Sequence, residues 1–424
     1  MQNLLIQGPS RIAGSVYISG SKNSALPILS ATILCTNPVV IQKVPHLKDV
    51  TTMLSLLSNM GMTFSIDHEL NVFVENSTLS QFEAPYDLVK QMRASVLVLG
   101  PTLARYGYAK VSLPGGCAIG TRPVDQHLKI LCELGAEVKV EDGYIIASTK
   151  KLIGKEVRFD RETVTGTENI LMAACLAQGK TVIHNAACEP EVKDLADFLN
   201  SMGAKIQGAG TSTIEIVGVN ELGGGAYSVI PDRIEAGTLL IAAVMTQGQI
   251  KLIDCIPEHL TSCLDVLKQA GAKVETTDHT VSLKMDSRPK SVSIVTDVYP
   301  GIPTDLQAQF IAMNAIAEGS SCVEETIFEN RFMHVSELTR MGAQITLNRN
   351  VVQIQGVDSL VGARVMATDL RASAALILAG ISAQGLTSID RIYHIDRGYA
   401  NIQEKLIKLG ANIERQTSKP PHYV

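Results

Sequence analysis

Six times along this chain a helix-like run stops at a glycine, and this repetition limits the fold more than any other feature. The runs are Leu57-Ser58-Asn59-Met60-Gly61, Cys132-Glu133-Leu134-Gly135-Ala136, Asn200-Ser201-Met202-Gly203-Ala204, Lys268-Gln269-Ala270-Gly271-Ala272, Thr339-Arg340-Met341-Gly342-Ala343 and Ile407-Lys408-Leu409-Gly410-Ala411. Each glycine fits a left-handed helix C-cap, which a residue without Cβ adopts at no steric cost. Alternating, strand-like stretches follow, such as Glu137-Val138-Lys139-Val140 and Asn412-Ile413-Glu414.

A second helix type recurs in the same frame and is almost wholly apolar: Ala25 to Leu34, Ala94 to Ala104, Ile170 to Ala177, Ala236 to Met245, Leu306 to Ala317 and Ala372 to Ala383. A helix apolar on every side is buried on every side. Most of these end at Gly107, Gly179, Gly248, Gly319 or Gly385, and strands such as Thr181-Val182-Ile183 and Ile250-Lys251-Leu252-Ile253 come next. Each unit therefore reads as strands with one buried and one amphipathic helix, an α/β arrangement. A period of about 70 residues exceeds that of solenoids, so the six units are expected to close as two globular domains of three. The break between them is expected near Gly223-Gly224-Gly225.

Composition narrows the function. The formal charge of -5 argues against a general nucleic-acid binder. No apolar run has the length of a membrane span, and Met1-Gln2-Asn3-Leu4-Leu5 lacks the basic segment of a signal peptide. The eight cysteines are dispersed without a CxxC pair, as expected of reduced thiols in the cytoplasm. There is no HExxH, no zinc-spaced Cys/His set, no GxSxG and no GxGxxG after a strand. Gly179-Lys180-Thr181 resembles the end of a P-loop, but residue 174 is alanine and the tripeptide closes a helix instead of opening one.

One loop differs from the scaffold. Leu113-Pro114-Gly115-Gly116-Cys117-Ala118-Ile119-Gly120-Thr121-Arg122-Pro123 joins a strand-like run to a helix-like one. Its glycines permit close backbone approach to a ligand, and Arg122 is suited to hold an anion or to lower the pKa of the Cys117 thiol. On local composition a reactive thiol and a structural turn are equally open. For the other seven cysteines a small buried hydrophobe is the default. Polar residues also stand at the starts of the buried helices: Lys22 with Asn23, Arg93, Thr167 with Glu168 and Asn169, Arg233, Asp305 and Arg371. Helix N-termini favour anions, although Asp305 after Pro303-Thr304 reads equally as an ordinary N-cap. Singly, Arg331, Arg371 and Arg397 read as well as structural ion pairs. If the six units share one polarity, Lys22, Arg93, Arg122, Arg331, Arg371 and Arg397 are expected to converge on a cleft between the domains, which suits an anionic substrate.

Gly20-Ser21-Lys22-Asn23, the Leu113 to Gly120 loop, Arg122-Pro123-Val124-Asp125, Asn185-Ala186-Ala187 with Glu189-Pro190-Glu191, Phe328-Glu329-Asn330-Arg331-Phe332, Ala367 to Ser373 and Asp396-Arg397-Gly398-Tyr399 together resemble the UDP-N-acetylglucosamine 1-carboxyvinyltransferases, a branch of the enolpyruvyl transferase family. The resemblance runs from Leu5 to about Glu414. It implies two inverted α/β domains of threefold internal pseudo-symmetry: residues 22–229 with the cysteine loop, and residues 1–21 with 230–424.

The resemblance further implies transfer of the enolpyruvyl group of phosphoenolpyruvate to the 3-hydroxyl of UDP-N-acetylglucosamine, with loss of phosphate, as the first committed step of peptidoglycan synthesis. By the matching motifs, Cys117 is implied as the acid for C3 and as the carrier of a pyruvate adduct, with Asp305 as the base. Lys22, Arg122 and Arg397 are implied as phosphate ligands, Arg331 and Arg371 as carboxylate ligands, and Asn23 as an orienting group. Arg93, Arg122, Pro123, Val124, Asp125, Gln126, Arg161, Glu162, Thr163, Val164, Asp305 and Ile327 fall where the family binds the UDP-sugar. Gln126 departs from the apolar residue common in Arg-Pro-x-Asp-x-His, Thr165-Gly166-Thr167 replaces a more usual Gly-Ala-Thr, and Ser418 to Val424 matches nothing. The nearest rival is a shikimate-pathway enolpyruvyl transferase, against which Gly115-Gly116-Cys117 argues. A non-catalytic nucleotide-sugar-binding paralogue is the rival from another class. The resemblance implies no metal or organic cofactor, and the expected partners are the two substrates, with no nucleic acid, membrane or obligate protein partner.

Overall fold

A computed structural model describes residues 2–113 and 124–417. The described residues contain six four-stranded sheets of one construction. In one of them, Glu83–Ala84 runs parallel to Tyr108–Ser112, which pairs antiparallel with Tyr144–Ser148, itself in a hairpin with Glu137–Glu141. The parallel pair needs a crossover, and a buried helix supplies it. Three sheets take a strand from far along the chain. Gly225–Ser228 lies parallel to Val39–Gln42, and Ala13–Tyr17 lies parallel to Gln249–Ile253. Gln2–Gly8 is inserted between Gly385–Asp390 and Asn412–Thr417, antiparallel to both, with Ile6 opposite Thr387 and Ile413.

The described residues form two compact units. Residues 20–113 with 124–230 make one, and residues 2–19 with 231–417 make the other. The units part between Ile230 and Pro231, shortly after Gly223-Gly224-Gly225; Gly225 itself opens a strand whose ladder with Val39 binds its backbone inside the first unit.

The apolar helices are α1 (Lys22–Ala31), α2 (Leu99–Tyr106), α3 (Val164–Ala174), α4 (Arg233–Met245), α5 (Gln307–Ala315) and α6 (Ala372–Ser382). In one unit α4, α5 and α6 pack on one another; in the other α2 packs on α3, and α1 on the helix Pro190–Ser201. Leu376, Ile377 and Leu378 of α6 are fully buried, and each such side chain contributes about 1.5–3 kcal/mol. Gly100 lets α2 approach α3: a Cβ there would strike the backbone of Asn169.

The amphipathic helices, such as Asp125–Glu133 and Pro190–Ser201, end as the glycine pattern predicts. All six glycines have φ between 94 and 112°. At Gly135, the Ala136 N–H donates to the Leu131 carbonyl at 3.0 Å and the Gly135 N–H to the Cys132 carbonyl at 2.9 Å, which is a Schellman cap.

Two expectations are corrected. Helix α3 starts about a turn early, because the Thr163 hydroxyl accepts the Gly166 N–H at 3.2 Å and caps it there. Thr167, Glu168 and Asn169 therefore lie inside the helix. Among the described cysteines, Cys132 and Cys322 are exposed and Cys188 is half-buried, against the default of burial. Cys132 sits on the outer face of an amphipathic helix, and Cys322 at an outward position of the strand Ser320–Glu324. Cys35, Cys255 and Cys263 are buried, which pushes their thiols up to about 12. Among the described residues no helix is long and apolar enough to cross a membrane.

Leu376→Ala is expected to lower the unfolding free energy of its unit by about 2–5 kcal/mol, whereas Val361→Ala, at a largely exposed position, should change it by less than about 0.5 kcal/mol. Denaturant unfolding checks this; equal midpoints for the two variants would contradict the enclosed-helix packing.

Candidate active site

The unit of residues 231–417 brings three of the implied residues together. Asp305 lies in the 3₁₀ turn Thr304–Leu306 that leads into α5. Its carboxylate makes no cap to that turn, so the ordinary N-cap reading is replaced by ion pairing. Oδ1 accepts from Arg331 Nη2 at 2.8 Å, and Oδ2 accepts from Arg371 Nε at 3.2 Å. The Asp305 side chain is 24 % exposed, while Arg331 and Arg371 are buried. Arg331 Nη1 also donates to Thr304 Oγ1 at 2.8 Å, and that hydroxyl donates to Glu325 Oε2 at 2.8 Å. Arg371 Nη1 donates to the Gly398 carbonyl at 2.8 Å, and its guanidinium stands 5.1 Å from the centre of the Tyr399 ring. Asp232 Oδ2 is 3.8 Å from Arg371 Nη2, which has no hydrogen-bond partner among the described residues.

Burial alone opposes the charge on both arginines. The surrounding carboxylates outweigh it, so both guanidinium pKa values are raised: Asp305 and Asp369 act on Arg331, and Asp232 and Asp305 on Arg371. Asp369 Oδ1 accepts the backbone N–H groups of Arg371 and Ala372 at 2.8 Å each, which satisfies the start of α6. His334 is fully buried with both ring nitrogens unpartnered among the described residues. Burial, with the Arg331 charge added, lowers its pKa to about 4, so it stays neutral. Arg397 is half-buried in the short helix Ile395–Gly398, near His394, whose pKa is lowered by burial and then by Arg397. Ile327 is half-buried in the loop after Ser320–Glu324, and its N–H donates to Glu325 Oε1 at 2.8 Å.

The other unit holds Lys22 at the first position of α1. Its Nζ is 2.9 Å from Asp49 Oδ2, and both side chains are buried. Asp49 sits in the first turn of the helix Lys48–Asn59, where the dipole favours a carboxylate. Asn23 follows Lys22 and is half-buried. Arg93 opens a 3₁₀ turn and acts on His127, whose pKa falls to about 4, mainly through burial and then through that charge. Asn169 fixes the His127 tautomer. Its Oδ1 accepts the Gly100 N–H at 2.6 Å, so its Nδ2 faces His127 Nδ1 at 3.2 Å and that ring nitrogen must accept.

Val124 is buried just before the helix Asp125–Glu133. Asp125 and Arg161 are exposed and 4.0 Å apart, a pair worth little by itself. Gln126 is buried, and its Oε1 accepts the N–H groups of Asp160 at 2.7 Å and Arg161 at 3.2 Å. The amide that departs from the apolar pattern thus pins the strand-to-helix loop in which Glu162, Thr163 and Val164 follow. Glu168 in α3 is buried, and desolvation with repulsion from Glu191 and Glu189 raises its pKa well above the usual carboxylate range. Cys117, Arg122 and Pro123 lie outside the described residues. Among the described residues no three His, Cys, Asp or Glu side chains are grouped to hold a metal ion.

Sequence reasoning did not single out Asp49, His127, Asp232, Glu325 or Tyr399 as contacts of these cations. Asp49 beside Lys48, and Tyr399 within Asp396-Arg397-Gly398-Tyr399, had a local signal; the others were too far along the chain.

Among solved structures, the enolpyruvyl transferase NikO from Streptomyces tendae matches with a TM-score of 0.88 at 24% identity, covering 99% of both chains. EPSP synthase from Acinetobacter baumannii matches with a TM-score of 0.75 at 17% identity, covering 98% of this chain and 100% of that one. At such identities these matches establish the fold alone, that of the enolpyruvyl transferases. The family model described as EPSP synthase (3-phosphoshikimate 1-carboxyvinyltransferase) matches residues 6–406. The UDP-N-acetylglucosamine 1-carboxyvinyltransferase of Hydrogenovibrio crunogenus is 59% identical over 416 residues, covering 98% of this chain and all of that protein. The protein of the same name in Coxiella burnetii is 56% identical over 420 residues, covering 99% and 97%. This chain belongs to the UDP-N-acetylglucosamine 1-carboxyvinyltransferase family, within the enolpyruvyl transferases.

His127 is expected to show a neutral imidazole with its proton on Nε2 at pH 6, read by ¹⁵N NMR of the ring; an imidazolium signal at that pH would contradict the Asn169 geometry. Gln126→Leu should leave the Asp160 and Arg161 N–H groups unpaired, at a cost of about 1–3 kcal/mol, with faster hydrogen exchange at those two amides.

Proposed function

We propose that this chain transfers the enolpyruvyl group of phosphoenolpyruvate to the 3-hydroxyl of UDP-N-acetylglucosamine, releasing phosphate, in the first committed step of peptidoglycan synthesis. The observation that carries this reading is 56–59% identity, over 98–99% of the chain, to relatives that bear that enzyme's name. The sugar hydroxyl attacks C2 and passes its proton to Asp305 while Cys117 protonates C3. The C2–phosphate bond then breaks as the Cys117 thiolate takes the proton back from C3. The vinyl ether forms, and Asp305 hands its proton to the departing phosphate. General acid and base contributions of this kind are each typically about 10²–10⁴-fold.

Arg331 and Arg371 receive the substrate carboxylate, and Lys22, Arg122 and Arg397 the phosphate, with Asn23 orienting the reacting group. Arg93, residues 122–126, residues 161–164 and Ile327 receive the UDP-sugar. What supports the carboxylate assignment is that both arginines are buried, charged and already turned to one carboxylate, Asp305. Donors desolvated in advance need no reorganisation when an anion arrives. Their exchange from Asp305 to the substrate would leave Asp305 free to accept a proton. In this reading residues 22–229 form the domain of the Cys117 loop, and residues 1–21 with 230–424 the domain of Asp305, Arg331, Arg371 and Arg397. The cytoplasm is the compartment, since reduced thiols persist there.

Phosphate release, measured with phosphoenolpyruvate and each acceptor in turn, tests the reading: UDP-N-acetylglucosamine should support turnover, and release with shikimate 3-phosphate alone would overturn it. Cys117→Ser should reduce turnover by about 10²-fold or more, whereas Cys188→Ser, at a half-buried thiol whose pKa is raised by burial, should leave it near the parent value. Equal activities would remove Cys117 as the acid.

A further inference from the structure

The steps above make no use of Thr238, Gln309 or Tyr399, yet these three buried polar side chains stand directly behind the Asp305–Arg371 pair. Thr238 lies in the middle of α4, Gln309 in the first turn of α5, and Tyr399 just after the helix Ile395–Gly398. Thr238 Oγ1 and the Tyr399 hydroxyl are 3.0 Å apart. Gln309 Nε2 is 2.9 Å from the Tyr399 hydroxyl and 3.0 Å from Thr238 Oγ1. The same nitrogen donates to the Asp305 carbonyl at 3.1 Å. An amide nitrogen has two hydrogens, so one serves the carbonyl and the other is shared by the hydroxyls, one of which donates to the other. Flipping the amide would turn its oxygen toward the Asp305 carbonyl and lose that bond, so the orientation is set. The other end of the cluster is the Tyr399 ring, with the Arg371 guanidinium 5.1 Å from its centre. One buried network, with the Gln309 Oε1 left unpartnered among the described residues, therefore touches the backbone of the carboxylate residue and the cation paired with it.

We propose that Thr238, Gln309 and Tyr399 form a positioning network that sets the angle at which Arg371 meets Asp305 before substrate arrives, and thereby, with Arg331 held at 2.8 Å from the same carboxylate and Asp232 at 3.8 Å from Arg371 left unchanged, how readily Asp305 takes a proton. This rests on the enolpyruvyl-transfer reading. Tyr399→Phe keeps the ring but removes the hydroxyl. Thr238→Val keeps the volume but removes the other hydroxyl, and Thr238→Ser restores it. A carboxylate whose cationic partner is loosened holds its proton more tightly, so its activity as a base is confined to higher pH.

The experiment uses the full chain and measures kcat, both KM values and the pH profile of kcat/KM for phosphoenolpyruvate, which reports the free enzyme in which Arg371 pairs with Asp305. It also follows the ¹³C titration of the Asp305 carboxyl by NMR without substrate. Tyr399→Phe and Thr238→Val should each lower kcat about tenfold and move the acid limb of the profile up by about half a pH unit. KM for UDP-N-acetylglucosamine should stay within about twofold, and Thr238→Ser should restore kcat and the profile. Variants that lose thermal stability but keep the parental kcat and pH profile would show a core contact only and overturn the proposal. So would a Thr238→Ser enzyme as impaired as Thr238→Val. If the parent protein transfers nothing to UDP-N-acetylglucosamine, the functional reading fails first. The carboxyl titration then decides the positioning claim alone: a shift on Tyr399→Phe supports it and an unchanged curve refutes it.

Discussion

A helix apolar on every side must be enclosed on every side, and this requirement organises both units. α4, α5 and α6 pack on one another in one unit, and four-stranded sheets complete each enclosure. Polar chemistry is then tolerated chiefly at the helix starts, where free backbone N–H groups await acceptors. Asp232 at α4, Asp305 before α5 and Asp369 before α6 occupy those places. The same packing that hides the helices thus draws three carboxylates to one end, and the buried arginines are held charged among them.

That arrangement sets the electrostatics of the candidate site. A guanidinium taken out of water survives only where carboxylates and carbonyls replace its hydration. Asp305, Asp232 and the Gly398 carbonyl do this for Arg371, and Asp305 with Thr304 does it for Arg331. The Lys22–Asp49 pair in the other unit follows the same logic at a smaller scale. Groups without such compensation are pushed toward their neutral forms: His127 and His334 stay neutral, and burial raises the Glu168 pKa well above the usual carboxylate range. Exposed pairs such as Arg161 with Asp125 are screened and add little.

Most of the scaffold was legible in the residue pattern. Glycine after each amphipathic run announced a Schellman cap, and unbroken apolar stretches announced the enclosed helices, because both signals lie within a few neighbouring residues. The misreadings share a cause. Helix α3 begins at Val164 because Thr163 outcompetes the polar cluster at Thr167 to Asn169 as a cap. Cys322 is exposed because strand alternation, not residue type, decides which way it points. Gly225 lies in a ladder with a strand far away in sequence, which no local composition reveals.

By itself the sequence determined the sixfold repeat, the two helix types, the α/β class and, through its motifs, the family. These follow from side-chain periodicity and steric freedom along short stretches of chain. Only the tertiary structure decided that Asp305 pairs with Arg331 and Arg371 instead of capping its own helix, that Gln126 pins residues 160–161, and that Gln309 joins Thr238 to Tyr399. Each of those choices depends on which partner burial brings within 3 Å or so, and sequence separation carries no information about that distance.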